Sequence, residues 1–400
     1  MAKKLTKDDI VNKTVANFSF FSDLKTGNKF TDSKKRIETS IYVDTGCYSY
    51  NALYSGDMTI GFPSNRIVML AGAEATGKTF FTIFGHVIPL SRLGYFIYYF
   101  DTENAVSEQL LEDFGLAPGS FKIVRENTVE DCRERMAVIL DQIESAMGKG
   151  VENTNKCAFV LDSIGMLSTK KTMDDSLSGE FKKDMTKQTQ LKSLFSVITN
   201  RMGLLDIPMI MTNHVYAVIG AYIPTKEVSG GSGPLYASSV IHQLDKRDFK
   251  VDEKKKGDDK AKKVRKGTII IATNRKNRYV REGLKVQFYL DFARGLNKWY
   301  GVHLLALDAG LLEEYDSKHK EMGVPRPDGV HASSKVWVCK HPDKPATEWV
   351  TCTEANLHKE ETIGSIFFPV NEWVKSNFKL SKGGSEDVEE TAEIDIDDEE

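Results

Sequence analysis

The sequence predicts an α/β fold with a mainly parallel central sheet and a smaller module at its C-terminal side. Two observations carry that expectation. From about Ile41 to Asp291, apolar runs of strand length alternate with stretches of helical periodicity, the pattern of a parallel sheet covered on both faces. One of those runs, Ile67 to Leu70, leads directly into Gly72, Gly77, Lys78 and Thr79 at the spacing G-x-x-x-x-G-K-T, with a helical pattern after it.

That spacing has the chemistry of a phosphate-binding loop. The backbone N–H groups of Gly72, Ala73, Glu74, Ala75, Thr76 and Gly77 can wrap a phosphate chain, and a side chain at either glycine is expected to block that approach. Lys78 adds a point charge for the β/γ-phosphates, and Thr79 offers a hydroxyl to Mg²⁺. The positive end of the helix that continues through Phe80 faces the anion.

The other strands follow in order. YFIYYF ends in Asp101-Thr102-Glu103, AFVLDS ends in Asp162-Ser163, and IPMIMTNH ends in Asn213-His214. Helices are expected to about Leu93, over 106–114, from about Val129 to Met147 and near 184–202. Ligands of such sheets sit at the carboxyl ends of the strands, so Glu103 and Asp162 share a rim with Lys78. Glu103 suits a carboxylate that orients an attacking water, or equally an acid capping the first turn of a helix. Asp162, after four apolar residues, has the form of a Walker B acid that holds Mg²⁺ through water, with a structural cap as the alternative.

Two long connections leave the same rim. Leu167 to Asp184 is polar and carries Lys170, Lys171, Lys182 and Lys183. His214 to Tyr236 mixes Tyr216 and Lys226 with a turn through Gly230, Gly231 and Gly233. Loops of this length within a domain are commonly functional, and basic and aromatic residues suit a single-stranded nucleic acid, though a lid has the same composition. Later strands at Val240–Leu244, Thr268–Thr273 and Val286–Phe292 are close enough for antiparallel hairpins, with an exposed insert expected from Lys254 to Lys266. Residues 300–380 hold Trp337, Trp349 and Trp373 and a helical stretch from Gly301 to Tyr315, and read as a small separate domain.

Composition bounds the rest. A chain of 400 residues, 40% apolar, can bury one large core and an appended module. No apolar run is long enough to span a bilayer, so a soluble, cytosolic protein is expected. The five scattered cysteines fit reduced thiols better than a disulfide framework. A zinc site from Cys339, His341, Cys352 and His358 has irregular spacing. The net charge of −3 hides ten acidic residues and no basic ones between Glu386 and Glu400, so the body is basic and the tail acidic. Such a tail acts as a solvated solubility segment, as a competitor of nucleic acid for the body, or as both. Ile10, Val11, Val15 and Phe18 recur at helical spacing near the start, and so short a helix must pack on something.

The order GAEATGKT, FDTENA, LDSIG, TNH and GGSGP resembles that of RecA-type recombinases, over roughly residues 35–300. The run LDSIGMLSTKKTMDDSLSGEFKKDMTKQTQLKSLF looks closest to the UvsX recombinases of T4-like bacteriophages. The resemblance implies a RecA-like P-loop ATPase core over 41–299, an N-terminal oligomerisation helix and linker over 1–40, a small C-terminal domain over 300–380 and a disordered acidic tail over 381–400. It implies ATP and Mg²⁺ bound by residues 72–80 and Asp162, and water activated by Glu103. Asn213 and His214 would sense the γ-phosphate, where RecA has a glutamine in place of the histidine. Lys276 and Arg278, or Arg275 beside them, would reach the ATP of a neighbouring subunit.

The resemblance further implies single- and double-stranded DNA as partners and a helical filament of identical subunits. A single-strand-binding protein, a loading mediator and a host-cytoplasm location follow for a phage-encoded recombinase. The function it implies is ATP-dependent DNA strand exchange in recombination, repair and recombination-dependent replication. A RecA-fold hexameric helicase, or a single-strand coating protein whose ATP site regulates assembly, are the alternatives.

Overall fold

The computed structural model describes residues 41–178, 186–217, 226–253 and 262–380. The expected N-terminal helix and linker (1–40), the acidic tail (381–400), and Lys182 and Lys183 lie outside them.

The chain enters through β1 (Tyr42–Val43), α1 (Tyr48–Ser55) and β2 (Phe62–Pro63). The central sheet is then laid down as β3 (Ile67–Gly72), β4 (Phe96–Asp101), β5 (Phe121–Val124), β6 (Cys157–Asp162), β7 (Met209–Ala217), β8 (Lys226–Val228), β9 (Val240–Glu253), β10 (Lys262–Lys276), β11 (Lys285–Asp291) and β12 (Gly295–Leu296). Nine of these ten run in the order β12-β11-β10-β9-β3-β7-β6-β4-β5, and β8 pairs with β7. The middle of the sheet, from β9 through β3, β7, β6 and β4 to β5, is parallel. β10 and β11 close it with antiparallel pairings. This is the RecA-like α/β architecture.

Fully buried strands explain the continuous apolar runs: every residue of β3 and β6 is buried. Alternation within each run feeds two cores. Val68 and Leu70 join α1 and the helical segment after the phosphate loop, while Ile67 and Met69 join the other face. That face is covered by α5 (Val129–Gly148) and α7 (Lys187–Leu205), whose buried Met136, Leu140, Leu194 and Ile198 recur at helical spacing. α5 begins where Thr128 accepts the N–H of Asp131, with Glu130 and Asp131 in the first turn at the positive end.

Several expected boundaries shift. The connection from Leu167 is helical over α6 (Lys170–Ser178), where Thr169 accepts the N–H of Thr172 at 3.1 Å and caps a mostly polar helix whose two apolar residues, Met173 and Leu177, are exposed. β7 continues past His214 to Ala217 and pairs antiparallel with β8, so the second connection starts as a hairpin. A further helix, α8 (Ser232–Ala237), starts directly after Gly231 and contains Gly233. The Lys254–Lys266 insert is shorter than expected, since β10 begins at Lys262, which the register sets opposite Glu253, with Lys263 opposite Asp252. β5, a four-residue edge strand, was not among the expected elements.

The helix expected over Gly301–Tyr315 is α9 (Val302–Asp308). The chain turns at Gly310, φ +67°, into β13 (Leu312–Glu314). β13 pairs with β14 (Val336–Cys339), and β14 with β15 (Val350–Thr353). The final helix, α12 (Phe367–Phe378), buries Val370 and Val374 in the same apolar cluster as Leu53 and Tyr54 of α1, so the C-terminal module shares its core with the sheet. Asn371 ties the two, donating to Asp57 at 3.1 Å and accepting the N–H of Met58 at 2.7 Å.

All five cysteines are buried free thiols, and burial pushes Cys132, Cys157 and Cys339 up to about 12. Among the described residues no set of three or more metal-ligating side chains converges. His341 instead accepts the N–H of Asp343, and the ring of His358 lies against Tyr300. No helix among the described residues is long and apolar enough to cross a membrane.

Candidate active site

Parallel register brings the ends of four strands level. Gly72 pairs with His214 and Ala71 with Asn213, while Asp101 pairs with Asp162. Residues at or just beyond these ends surround a cavity of ≈ 300 Å³ that includes Lys78, Thr79, Glu103, Asp162 and His214.

The two glycines of the loop are required for different reasons. A Cβ on Gly72 would lie 2.9 Å from the carbonyl oxygen of Leu244 on β9, so the strand packing itself excludes a side chain. Gly77 has room, with Ile270 and Leu290 no nearer than 4.0 Å to a Cβ, but φ +87°, a conformation that L-residues avoid. Both constraints arise within the protein itself and add to the phosphate approach expected from the sequence. From Gly77 the chain enters α2 (Lys78–Thr82), continues through a π-helical turn over Ile83–Val87 and ends in α3 (Ile88–Arg92).

Lys78 donates to the carbonyls of Gly72 at 3.0 Å and Ala73 at 2.9 Å, which holds its ammonium over the loop. Burial lowers its pKa, opposed by Asp162, Glu103 and Glu74 nearby. Asp162 is almost fully buried. Burial raises its pKa, and the hydroxyls of Thr212, Thr79 and Tyr99 work against that rise. Tyr99 donates to Oδ2 at 2.8 Å and Thr212 donates to Oδ1.

The turn after β4 divides the labour between its two acids. Asp101 accepts the N–H groups of Ala105 at 3.2 Å and Val106 at 3.0 Å, so it is the acid that caps the turn. Glu103 faces the cavity. Its Oε1 accepts the hydroxyl of Ser163 at 2.7 Å and lies 3.5 Å from Nε2 of His214. His214 is seated against Gly165, where a Cβ would come within 2.6 Å of its Cδ2.

Asn213 is fully buried and links β7 to the glycine-rich turn. It donates to the Ser229 carbonyl at 2.8 Å and accepts the Ser229 hydroxyl at 2.6 Å. Beyond it, Gly230 and Gly231 have φ +90° and +71° and pack on Leu191 and Gln188, while Gly233 abuts the backbone of Lys192. Tyr216 is exposed, Lys226 lies on β8, and Lys171 is exposed on α6. Lys170 is held by Asp131 at 2.7 Å.

Lys276 and Arg278 do not join this cavity. Lys276 pairs with Ile241, which pairs with Met69, so it lies toward the opposite end of the sheet from Gly72. Its ammonium donates to the Leu235 carbonyl at 2.7 Å; burial and then Arg278 lower its pKa. Arg278 is exposed, and Arg275 is engaged by Gln243 at 2.9 Å.

Tyr99, Thr212 and Ser163 are the site residues that sequence reasoning missed. Each sits within two residues of a strand end that it did identify. Leu110 and Phe114 also line the cavity, next to Phe80, whose ring centroid is 5.4 Å from that of Phe114. A larger cavity of ≈ 670 Å³ begins on the other side of Phe114 and holds none of these acids.

The donor set suits a polyphosphate with a divalent cation: an ammonium above a loop of N–H groups, a hydroxyl beside a buried acid, and a second carboxylate across the cavity. Fold and loop together define a RecA-like P-loop protein. The chain is similar in sequence to RecA-type recombination proteins. It is 27% identical over 293 residues to the "Recombination and repair protein" of Enterobacteria phage T4, covering 72% of this chain and 67% of that protein. It is 26% identical over 241 residues to "Protein RecA" of Fusobacterium nucleatum, 60% of this chain and 57% of the relative. With "Protein RecA" of Paracoccus denitrificans it shares 23% over 287 residues, 71% of this chain and 73% of the relative. No protein-family model matches the chain.

Proposed function

We propose that this protein is a DNA-dependent ATPase that forms helical filaments on single-stranded DNA and exchanges strands with a duplex. The observation that carries the reading is the level rim of Lys78, Glu103, Asp162 and His214, continued by Asn213 into the glycine-rich turn. Its relatedness to recombination proteins supports it.

Bound ATP with Mg²⁺ supplies the phosphoanhydride whose cleavage drives the cycle. Lys78 and the N–H groups of residues 72–80 hold the phosphates, and Thr79 and Asp162 hold the cation, the latter through water. Glu103 orients water with its carboxylate. Asn213 and His214 read whether the γ-phosphate is present and pass that state to the turn at Gly230, Gly231 and Gly233. Lys276 is set back along the sheet from Gly72, and neither it nor Arg278 lines its own cavity, which supports their action on a neighbour's. Lys170, Lys171, Lys182, Lys183, Tyr216 and Lys226 grip the DNA backbone.

In this reading residues 1–40 join subunits, 41–299 form the ATPase core, 300–380 are an appended module and 381–400 a solvated tail. A single-strand-binding protein and a loading mediator act with it in the host cytoplasm. The test is ATP turnover with and without single-stranded DNA, followed by electron microscopy. Stimulation by DNA and open helical filaments are expected; closed hexameric rings, or filaments without turnover, would replace the reading. Lys78→Ala is expected to abolish turnover, and persistent activity removes the assignment.

A further inference from the structure

We infer that Ser163 is the positioning residue for Glu103, holding the carboxylate in the orientation from which it addresses water. The inference rests on the ATPase reading above. It starts from a conformational problem: the terminal torsion of a glutamate is broad, and a third of the Glu103 side chain is exposed, so packing alone does not fix its oxygens.

Among the described residues, one hydrogen bond does fix them. The Ser163 hydroxyl donates to Oε1 at 2.7 Å, whereas Nε2 of His214, at 3.5 Å from the same oxygen, is beyond a strong bond. Both contacts address Oε1 and leave Oε2 to accept from water.

The donor is itself immobilised. Ser163 is fully buried, its N–H donates to the Thr102 hydroxyl at 2.9 Å, and that hydroxyl donates back to the Ser163 carbonyl at 2.8 Å. The Thr102 N–H donates to the Asp162 carbonyl at 2.9 Å. The backbone preceding Glu103 and the residue that holds its carboxylate are thus clamped to each other across the β4–β6 pair. A carboxylate aimed this way is pre-organised before the phosphates arrive, the condition under which positioning lowers a barrier.

The test compares Ser163→Ala, Ser163→Thr and Ser163→Cys in the full-length protein. Steady-state turnover with single-stranded DNA, binding of a fluorescent non-hydrolysable ATP analogue, and a crystal structure of the alanine variant are the readouts. Ser163→Ala is expected to lower kcat about ten-fold, with KM and analogue affinity within about two-fold of wild type. Ser163→Thr keeps the hydroxyl and is expected to restore most of the rate. Ser163→Cys, similar in shape and a weak donor, is expected to behave like alanine and serves if the alanine variant melts early.

Added to Glu103→Gln, Ser163→Ala should cost nothing further. The crystal structure should show the Glu103 carboxylate turned away from its present place. Unchanged kcat, a matching loss of analogue affinity, an equal loss on the Glu103→Gln background, or an unmoved carboxylate would each overturn the inference. A wild-type protein without ATP turnover overturns the ATPase reading instead, and the crystallographic comparison then still decides whether Ser163 holds Glu103.

Discussion

Acid should destabilise this fold through two histidines buried beneath the phosphate loop. His242, on β9 beside Leu70, bonds through Nδ1 to the Tyr50 hydroxyl at 2.8 Å. Tyr50 donates to Tyr54 at 3.1 Å, and the Tyr54 hydroxyl meets Nε2 of His86 at 2.7 Å, on the π-helical turn after α2. All four side chains are fully buried. Burial holds both imidazoles down to about 3, and for His242 the neighbouring His86 adds to the effect.

In the unfolded chain the same groups titrate near 6.5, so below that pH the unfolded state binds protons that the folded state refuses. The stabilisation is complete above about pH 6.5 and is lost as pH falls from there toward 3. Each histidine costs about 1.4 kcal/mol per pH unit. Between pH 6.5 and 5 the pair therefore removes about 3 kcal/mol, a large part of the roughly 5–15 kcal/mol that holds a typical domain together.

Urea unfolding followed by circular dichroism at pH 7.5, 6.5, 5.5 and 5.0 measures the slope. His86→Gln, which keeps an acceptor for Tyr54, should lose about half of it. A flat profile from pH 6.5 to 5, or an identical slope in the variant, would refute the reasoning.

Three further outcomes are expected. Gly165→Ala should displace His214, since its Cβ would sit 2.6 Å from the ring; the check is loss of nucleotide-dependent DNA affinity, with a penalty of about 1–3 kcal/mol in unfolding experiments. Lys276→Ala subunits should bind nucleotide normally but lose DNA-stimulated turnover. Turnover should return in part when they are mixed with Lys78→Ala subunits, and no recovery would argue against action across an interface. Removing residues 386–400 should tighten single-stranded DNA binding at low salt and lose the gain at high salt, as electrostatic competition requires; unchanged affinity leaves the tail a solubility segment.

Much of the site was legible because its parts lie close together in the chain. The loop from Gly72 to Thr79 and the acids at the ends of β4 and β6 need only local spacing and strand ends to be found. The helix over Lys170–Ser178 was not legible, since it is short, mostly polar, and carries only two apolar residues, Met173 and Leu177, both exposed, which is too few to stand out as a helical period. Nor was the division between Asp101 and Glu103: two acids in one turn look alike until hydrogen bonds show that the first takes the backbone N–H groups.

The sequence by itself determined the alternating strands, the phosphate-type loop and the acids on its rim, because these follow from covalent order and from side-chain periods of 2 and 3.6. Only the tertiary structure decided which hydroxyls hold those acids and where Lys276 stands. Tyr99, Thr212 and Ser163 reach their partners across 50 to 63 residues of chain. Such contacts depend on the order and register of parallel strands, and no local pattern encodes either.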